Sequence, residues 1–310
     1  MSQTLSPPHV NPATSDAGRF EFGANWRRFL ATLTEERIGA AMMSLQRVFG
    51  DDGLRGRTFL DIGSGSGLFS LAAYRLGARV HSFDYDADSV ACTAYLRERE
   101  GADAERWCVE RGSVLDAEYL TRLGAFDVVY SWGVLHHTGD LWRAIEFASQ
   151  RVAPGGEFLI AIYNDQGVWS RIWTGIKRAY GMLPRWLRPA YVAVVGGGWA
   201  LQRGLLKVLL ITGGMLVRAL TLRNPWERWT RAQQDLAASQ RRRGMLFWYD
   251  LVDWIGGYPF EVSTPEGVFR FVRDRGFTLV DLTTCGGGLG CNEFVFRRNE
   301  TAARQSRATP

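Results

Sequence analysis

The feature of this sequence that most constrains its fold is an apolar strand that runs directly into three closely spaced glycines. Residues 59–67 read FLDIGSGSG, with glycines at the alternate positions Gly63, Gly65 and Gly67. Glycine lets the backbone turn tightly and approach a ligand, and a helix that follows such a turn aims its N-terminal amides at that ligand. A dinucleotide fingerprint would have its third glycine at Leu68, and a phosphate-binding loop would continue with lysine and then serine or threonine, so neither class fits.

A carboxylate follows the glycines at the spacing expected for a ribose ligand. Asp84 ends the next apolar run of the chain, and an acid about 20 residues after such a turn accepts hydrogen bonds from ribose hydroxyls. The glycine turn and the acid together predict an adenosyl ligand. The alternative is a purely structural turn beside an aspartate that caps a helix.

Short apolar runs alternate with amphipathic segments along most of the chain. Strands are predicted at 58–62, 79–83, 107–111, 126–131, 158–163, 277–282 and 293–296, and helices at 20–49, 68–76, 87–100, 141–152 and 264–275. Such alternation implies a parallel sheet with helices on both faces. The predicted fold class is therefore α/β: a Rossmann-like doubly wound sheet, mostly parallel with an antiparallel last strand, and with a helical insertion after strand five.

Composition divides the chain into six segments. They are a disordered leader at 1–19, a helical segment at 20–56, a cofactor-binding α/β core at 57–163, a helical aromatic and basic insertion at 164–260 that would cap the substrate, the rest of the α/β core at 261–298, and a disordered tail at 299–310. The leader lacks the charged and then apolar pattern of a signal peptide. The four cysteines form neither a CxxC pair nor a zinc-like cluster, which favours reduced thiols in the cytoplasm and no metal site.

Five motifs in this order make the chain similar to a known superfamily. They are the glycine turn at 60–67, Asp84, the GSVLD run at 112–116, the FDVV run at 126–129 and the PGG run at 154–156. The chain resembles class I S-adenosylmethionine-dependent methyltransferases, nearest to the branch of ubiquinone-type quinol methylases. The resemblance covers about residues 58–163 and implies S-adenosylmethionine (SAM) as cofactor.

The resemblance also implies a set of cofactor-binding residues at the ends of the first four strands. They are Asp61, Gly63, Ser64, Gly65, Gly67, Asp84, Tyr85, Ser113, Val114 and Trp132. The residues up to Gly67 would hold the methionine end of the cofactor, Asp84 would bind the ribose, and Tyr85 would flank the adenine. Ser113 stands where the family usually has an acid that meets the adenine amine.

Two adjacent histidines follow the fourth strand, at the edge where ligands bind in such sheets. An imidazole with a pKa of about 6.5 suits proton removal from a methyl acceptor at neutral pH. We therefore predict that His137, or else His136, is the general base. The alternative is that one histidine packs on the sheet and the other caps the next helix, since methyl transfer also proceeds by proximity and orientation alone.

The segment 164–260 is both basic and aromatic. It contains fourteen lysines and arginines against five acids, and eight of the twelve tryptophans of the chain. One interpretation is a pocket for a lipophilic acceptor such as a quinol, an isoprenoid or a lipid-linked sugar, and the other is the plain core of a helical cap. Arginines on amphipathic helices also suit contact with a membrane surface. Nucleic-acid binding is disfavoured, because no compact basic strip with a stacking platform is present.

Aromatic and acidic residues near the insertion are the candidates for substrate contact. They are Tyr163, Tyr249, Asp250, Asp253 and Tyr258, and the alternative for the later four is a loop packed on its own aromatics. The sequence as a whole predicts an enzyme that moves a methyl group to an oxygen or nitrogen atom of a small lipophilic or carbohydrate-like acceptor. The alternatives are an RNA or protein methyltransferase, and a non-catalytic SAM-binding scaffold at a membrane surface. The oligomeric state is not readable from the sequence.

Overall fold

A computed structural model describes residues 26, 30, 33–202, 204, 254–286 and 290–300 of the chain. Its centre is a seven-stranded sheet with the order β3-β2-β1-β4-β5-β7-β6. The strands are β1 (Thr58–Ile62), β2 (Arg79–Asp84), β3 (Trp107–Arg111), β4 (Phe126–Trp132), β5 (Val152–Tyr163), β6 (Phe277–Thr283) and β7 (Cys291–Arg298). β7 runs antiparallel to both of its neighbours, and the pairs among the first five strands are parallel. The predicted fold class, including the antiparallel last strand, is confirmed.

Helices cover both faces of the sheet. They are α1 (Glu35–Phe49), α2 (Leu68–Arg75), α3 (Ala87–Arg99), α4 (Ala117–Leu123), α5 (Leu141–Ser149), α6 (Val168–Met182) and α7 (Pro265–Arg273). One apolar core lies under α4, α5 and α7, and a second lies under α1, α2 and α3. β1 contributes to both, since Leu60 belongs to the first core and Phe59 to the second. Burial on both faces explains why the central strands are almost continuously apolar.

Three local features differ from the sequence prediction. Helix α4 was not predicted, because its seven residues are too few to show a helical period. β5 begins at Val152, which pairs with Phe126, and pairing resumes at Glu157 after an irregularity that contains the PGG run. A short 3₁₀ helix, Leu135–His137, separates β4 from α5.

The described part of the insertion is mostly helical. α6 is followed by helical residues 188–202, and Trp173, Tyr180 and Val192 form a small core with Ile255. Trp169 and Trp186 are instead 55% and 77% exposed, so the tryptophans of this segment divide between core and surface. In the described part of the chain, no helix is both long enough and apolar enough to cross a membrane.

The four cysteines are free thiols, as the sequence predicts. The predicted leader, residues 205–253 of the insertion and the tail from residue 301 lie outside the described residues, and the predicted division into segments remains a prediction.

Candidate functional site

The glycine turn lies at the carboxyl end of β1 and is tied to β2. Gly63, Gly65 and Gly67 have φ angles of 76°, 54° and 80°, a region that side-chain-bearing residues rarely adopt. The N–H groups of Gly63 and Ser64 donate to the Phe83 carbonyl at 2.9 and 3.1 Å. α2 starts directly after Gly67, so its N-terminal amides face the edge of the sheet where the turn lies.

The Asp84 carboxylate lies against this turn. Its Oδ2 accepts from the Gly65 N–H at 2.9 Å, and its Oδ1 accepts from the Asp86 N–H at 2.9 Å. These two bonds orient the Asp84 carboxylate beside the glycine turn, and a carboxylate is the kind of group that accepts from ribose hydroxyls. The predicted juxtaposition of the turn and the acid is therefore present.

The glycines also leave no room for side chains. A Cβ on Gly63 would lie 2.3 Å from Val134 Cγ1, and one on Gly65 would lie 3.0 Å from Trp26 Nε1. The bare backbone, the helix start and the acid fit a ligand with a carboxylate-bearing end and a ribose, which is the chemistry of SAM. The glycine turn, the start of α2 and Asp84 would therefore hold SAM.

Asp61 lies beneath the turn and is 2% exposed. Its Oδ2 accepts from the Ser70 hydroxyl at 2.5 Å, and the Ser70 and Ser82 hydroxyls are 2.7 Å apart. Burial raises the pKa of Asp61 to about 7, the Ser70 hydrogen bond opposes this, and the nearby charge of Asp84 adds to it. Asp61 therefore supports the turn at a cost in stability when it is ionised.

Asparagine at position 61 should stabilise the cofactor-free protein in mildly alkaline solution. The pKa of the Asp61 carboxyl is higher in the folded protein, at about 7, than its ordinary value of 3.8, so the folded state binds more protons between these values. The stabilisation that comes from protonated Asp61 is fully present below pH 3.8, and it is lost as pH rises through about 7. We expect Asp61→Asn to raise the free energy of unfolding by about 1 to 4 kcal/mol at pH values near 8.

Urea unfolding with and without the substitution, at pH values on both sides of this window, measures the effect. Asp51→Asn at an exposed carboxyl is the matched control. An equal stability difference at both pH values would show that the Asp61 carboxyl does not titrate in this window.

The remaining cofactor candidates line the neighbouring strand ends. The Gly112 N–H donates to the Asp84 carbonyl at 3.0 Å, which places Ser113 and the buried Val114 beside Asp84. The Tyr85 carbonyl accepts from Arg111 Nε at 3.0 Å. Trp132 ends β4 and pairs with Ala161 of β5. All ten candidates thus lie on β1 to β4 or just after them, and their individual contacts with SAM remain predictions.

The histidine pair lies in the 3₁₀ helix at the same edge of the sheet. His136 is completely buried and His137 is 7% exposed, with their ring centroids 4.5 Å apart. The Tyr163 ring packs on His136 at 3.8 Å and meets His137 edge-on at 5.4 Å. The end of β5 therefore holds both imidazoles in place.

Backbone partners assign opposite tautomers to the two rings. His137 Nδ1 lies 2.6 Å from the Pro259 carbonyl, which can only accept, so the proton is on Nδ1 and the lone pair is on Nε2. His136 Nδ1 accepts from the Tyr163 N–H at 3.3 Å, so a neutral His136 carries its proton on Nε2. Burial, with the charges of His137 and Lys177, holds the pKa of His136 well below its ordinary value.

Glu261, two residues after Pro259, contacts both the histidine pair and the start of α5. The Glu261 N–H donates to the His136 carbonyl at 3.0 Å, and the Glu261 carboxylate accepts from the N–H groups of Gly139 and Leu141 at 3.0 and 3.1 Å. Burial raises the pKa of Glu261, which these two bonds oppose. Asp140 and Glu261 cap α5. The alternative that a histidine caps this helix is therefore wrong, whereas His136 does pack on the sheet.

Two of the predicted substrate residues lie in the described part of the chain. Tyr163 contacts both histidines and also Trp254, with ring centroids 4.8 Å apart. Tyr258 lies next to Pro259, and its hydroxyl accepts from Arg178 Nε at 3.3 Å. Tyr249, Asp250 and Asp253 lie outside the described residues.

A second polar cluster lies on the adjacent strands β2 and β3. Potential metal-ligating atoms of His81, Cys108 and Glu110 lie within 4.8 Å of one another. His81 Nε2 is 2.9 Å from Glu110 Oε1, which also accepts from the Tyr119 hydroxyl at 2.7 Å. Burial lowers the pKa of His81, but hydrogen bonds to Cys108 and Glu110 outweigh it and raise the pKa to about 9. The cluster is thus a hydrogen-bonded ion pair at neutral pH.

Comparison with known proteins identifies the family of the chain. The model of a family described as methyltransferase domain matches residues 33–202. The ubiquinone biosynthesis O-methyltransferase of Paramagnetospirillum magneticum is 33% identical over 143 residues, which are 46% of this chain and 53% of that protein. The protein of the same name from Pectobacterium carotovorum is 28% identical over 135 residues, which are 43% of this chain and 55% of that protein. The chain thus matches about half the length of these curated relatives.

Among solved structures, the magnesium protoporphyrin IX methyltransferase of Synechocystis with bound SAM has a TM-score of 0.50 and 12% identity. The alignment covers 94% of this chain and 100% of that one, and it shows a shared fold. Because the family model spans more than half of the sequence, the chain belongs to the methyltransferase-domain family, and its predicted membership of the class I SAM-dependent methyltransferase superfamily is confirmed.

Proposed function

We propose that this enzyme transfers the methyl group of SAM to an oxygen or nitrogen atom of a small lipophilic or carbohydrate-like acceptor, with His137 as general base. The observation that carries the proposal is the 2.6 Å contact between His137 Nδ1 and the Pro259 carbonyl. It fixes the ring orientation and the tautomer in which Nε2 accepts a proton. His136 is the weaker candidate, because its Nδ1 already accepts a backbone hydrogen bond.

Bound SAM supplies an electrophilic methyl carbon on a positively charged sulfur. The residues of the chain then have three tasks. The glycine turn and Asp84 orient the cofactor, the end of β4 and the 3₁₀ helix bring the base to the same edge of the sheet, and His137 Nε2 takes the proton of the acceptor. Holding the acceptor and the base in one orientation at this edge of the sheet would supply much of the rate.

Exposed aromatic surface on the insertion supports a lipophilic acceptor. The exposed Trp169 and Trp186 provide apolar surface there, where a lipophilic acceptor would approach. The relatives are named for O-methyl transfer in ubiquinone biosynthesis, which agrees with an acceptor of this class. The basic residues of 164–260 are what supports the alternative of an RNA or protein acceptor.

Loss of the Asp84 carboxylate should abolish most cofactor binding. Asp84→Ala removes the ribose acceptor and the partner of the Gly65 N–H, and we expect SAM affinity to fall by about 100-fold or more. Asp86→Ala is the matched control, because Asp86 caps α3 and its loss should cost only about 1 kcal/mol of stability. Isothermal titration with SAM measures both, and equal affinities would remove Asp84 from the cofactor site.

The same pair of variants identifies the acceptor. Wild-type enzyme, Asp84→Ala and Asp86→Ala are incubated with methyl-labelled SAM and a host-cell extract, which is then separated into lipid, small-molecule, RNA and protein fractions. Label in the lipid or small-molecule fraction that requires Asp84 supports the proposal. Label in RNA or protein would establish a macromolecular acceptor instead, and no turnover in any fraction would favour a non-catalytic scaffold.

A further inference from the structure

Lys177 is a completely buried lysine in a chain that otherwise uses arginine for almost all of its positive charge. The sequence contains only two lysines, Lys177 and Lys207, among 37 basic residues, and Lys177 on α6 is 0% exposed. Burying an ammonium group costs several kcal/mol unless the protein compensates it. An ammonium is compact and fits a small enclosure into which a planar guanidinium would not fit. The use of lysine at this position therefore indicates an enclosure shaped for an ammonium group.

The enclosure consists of a carbonyl and three aromatic rings. The Lys177 ammonium donates to the Trp254 carbonyl, and its Nζ lies 4.8 Å from the Trp254 ring, 4.7 Å from the Phe260 ring and 5.8 Å from the Tyr163 ring. Such cation–π contacts strengthen when they are desolvated, as they are here. Lys177 therefore joins three parts of the chain that are distant in sequence: α6, the end of β5 and residues 254–260.

The segment held between Trp254 and Phe260 contains the partner of the proposed base. Pro259, the residue before Phe260, provides the carbonyl that accepts from His137 Nδ1. Glu261, the residue after Phe260, donates its N–H to the His136 carbonyl. The ammonium thus fixes Phe260, which lies between the backbone groups that orient the two histidines.

We propose that Lys177 is a positioning residue for methyl transfer: its caged ammonium anchors residues 254–260 and thereby holds the Pro259 carbonyl against His137. This inference rests on the proposed role of His137 as base. Lys177 does not touch the reacting atoms in this arrangement, and it acts through the tautomer and orientation of another side chain.

The charge of Lys177 has a second consequence. Together with burial and the charge of His137, it lowers the pKa of His136. Of the two touching imidazoles, His136 is therefore kept neutral, and a proton taken from the acceptor stays on His137.

The decisive variant is Lys177→Met, which keeps the bulk of the side chain and removes the ammonium. We expect it to fold, because methionine fills a similar volume among the three rings and leaves no unpaired charge behind. Lys177→Gln, which keeps a donor for the Trp254 carbonyl without the charge, should give an intermediate result. Arg171→Met, an exposed basic residue on the same helix, is the matched control, and SAM affinity reports that each variant is folded.

Two measurements separate this inference from the proposed function. Long-range proton–nitrogen correlation spectra report the tautomer of each of the four histidines, and we expect the Nδ1–H form of His137 to be lost or mixed in Lys177→Met and retained in Arg171→Met. Turnover with the acceptor fraction should fall by about 100-fold, as for other displaced catalytic groups. An unchanged His137 tautomer in Lys177→Met would overturn the inference, whatever the activity. A changed tautomer with full activity would support the anchoring role and contradict His137 as base.

Discussion

Asparagine in place of His137 should lower kcat by about two to four orders of magnitude, the usual contribution of a general base, while SAM affinity stays within about threefold. Asparagine is the informative replacement because its side-chain NH₂ group can occupy the position of Nδ1 and keep donating to the Pro259 carbonyl. The variant therefore removes the proton acceptor at Nε2 and preserves the hydrogen bond to the Pro259 carbonyl. Single-turnover methyl transfer at saturating SAM measures the chemical step directly.

The adjacent histidine is the natural control for this experiment. His136→Gln removes a buried ring that packs on Tyr163 at 3.8 Å, so we expect a loss of stability and at most about a tenfold loss of kcat. His137→Asn should also remove the acidic limb from the pH profile of kcat/KM, because the group that must be deprotonated is gone. Full activity of His137→Asn would refute the base assignment. A larger kcat loss in His136→Gln than in His137→Asn would transfer the assignment to His136.

The cofactor half of the site was predictable because its determinants are local in sequence. The glycine turn at 63–67 needs only its own backbone, and Asp84 reaches it through one strand pairing, β1 with β2 in register from Thr58 to Ile62. A strand–turn–helix–strand unit has a fixed hand, so the end of β2 must come beside the turn. The hydrogen bond between the Gly65 N–H and Asp84 follows from this geometry.

The acceptor half was only partly predictable because its determinants are distant in sequence. The histidine pair was identified by its position after β4, but the Pro259 carbonyl that distinguishes His137 from His136 lies 122 residues away. The contact between Lys177 and Trp254 spans 77 residues. Lys177 has one usable signal, its rarity in an arginine-rich chain, whereas a backbone acceptor such as Pro259 has none. Charge and aromatic composition therefore predicted an acceptor region without its geometry.

The two halves meet at Gly63 and Val134. A Cβ at Gly63 would lie 2.3, 2.6 and 2.9 Å from Val134 Cγ1, Cγ2 and Cβ, and Val134 precedes the 3₁₀ helix that contains both histidines. The glycine turn is thus packed against the residue that precedes the helix of the proposed base. A displacement of the glycine turn should therefore also displace the 3₁₀ helix, because closely packed groups transmit strain to one another.

Gly63→Ala should consequently impair cofactor binding and chemistry together. The substitution adds overpacking of about 1 to 3 kcal/mol to the strain of a side chain at φ 76°, about 1 to 2 kcal/mol more. We expect a loss of SAM affinity of about 30-fold or more, with a further loss of kcat. Gly124→Ala is the matched control, since Gly124 has φ 79° and nothing within 4 Å of its added Cβ, so it carries the backbone strain alone.

The double variant Gly63→Ala with Val134→Ala tests whether the contact transmits the effect. Truncation of Val134 removes the two Cγ atoms that the new methyl group meets and leaves only the 2.9 Å approach to Cβ. We expect partial recovery of SAM affinity and kcat in the double variant relative to Gly63→Ala, which is a favourable coupling energy of about 1 kcal/mol or more in a double-mutant cycle. Additive losses would mean that the defect comes from backbone strain or from contact with the cofactor itself. Recovery of both quantities would show that one steric contact sets the position of the cofactor turn relative to the catalytic base.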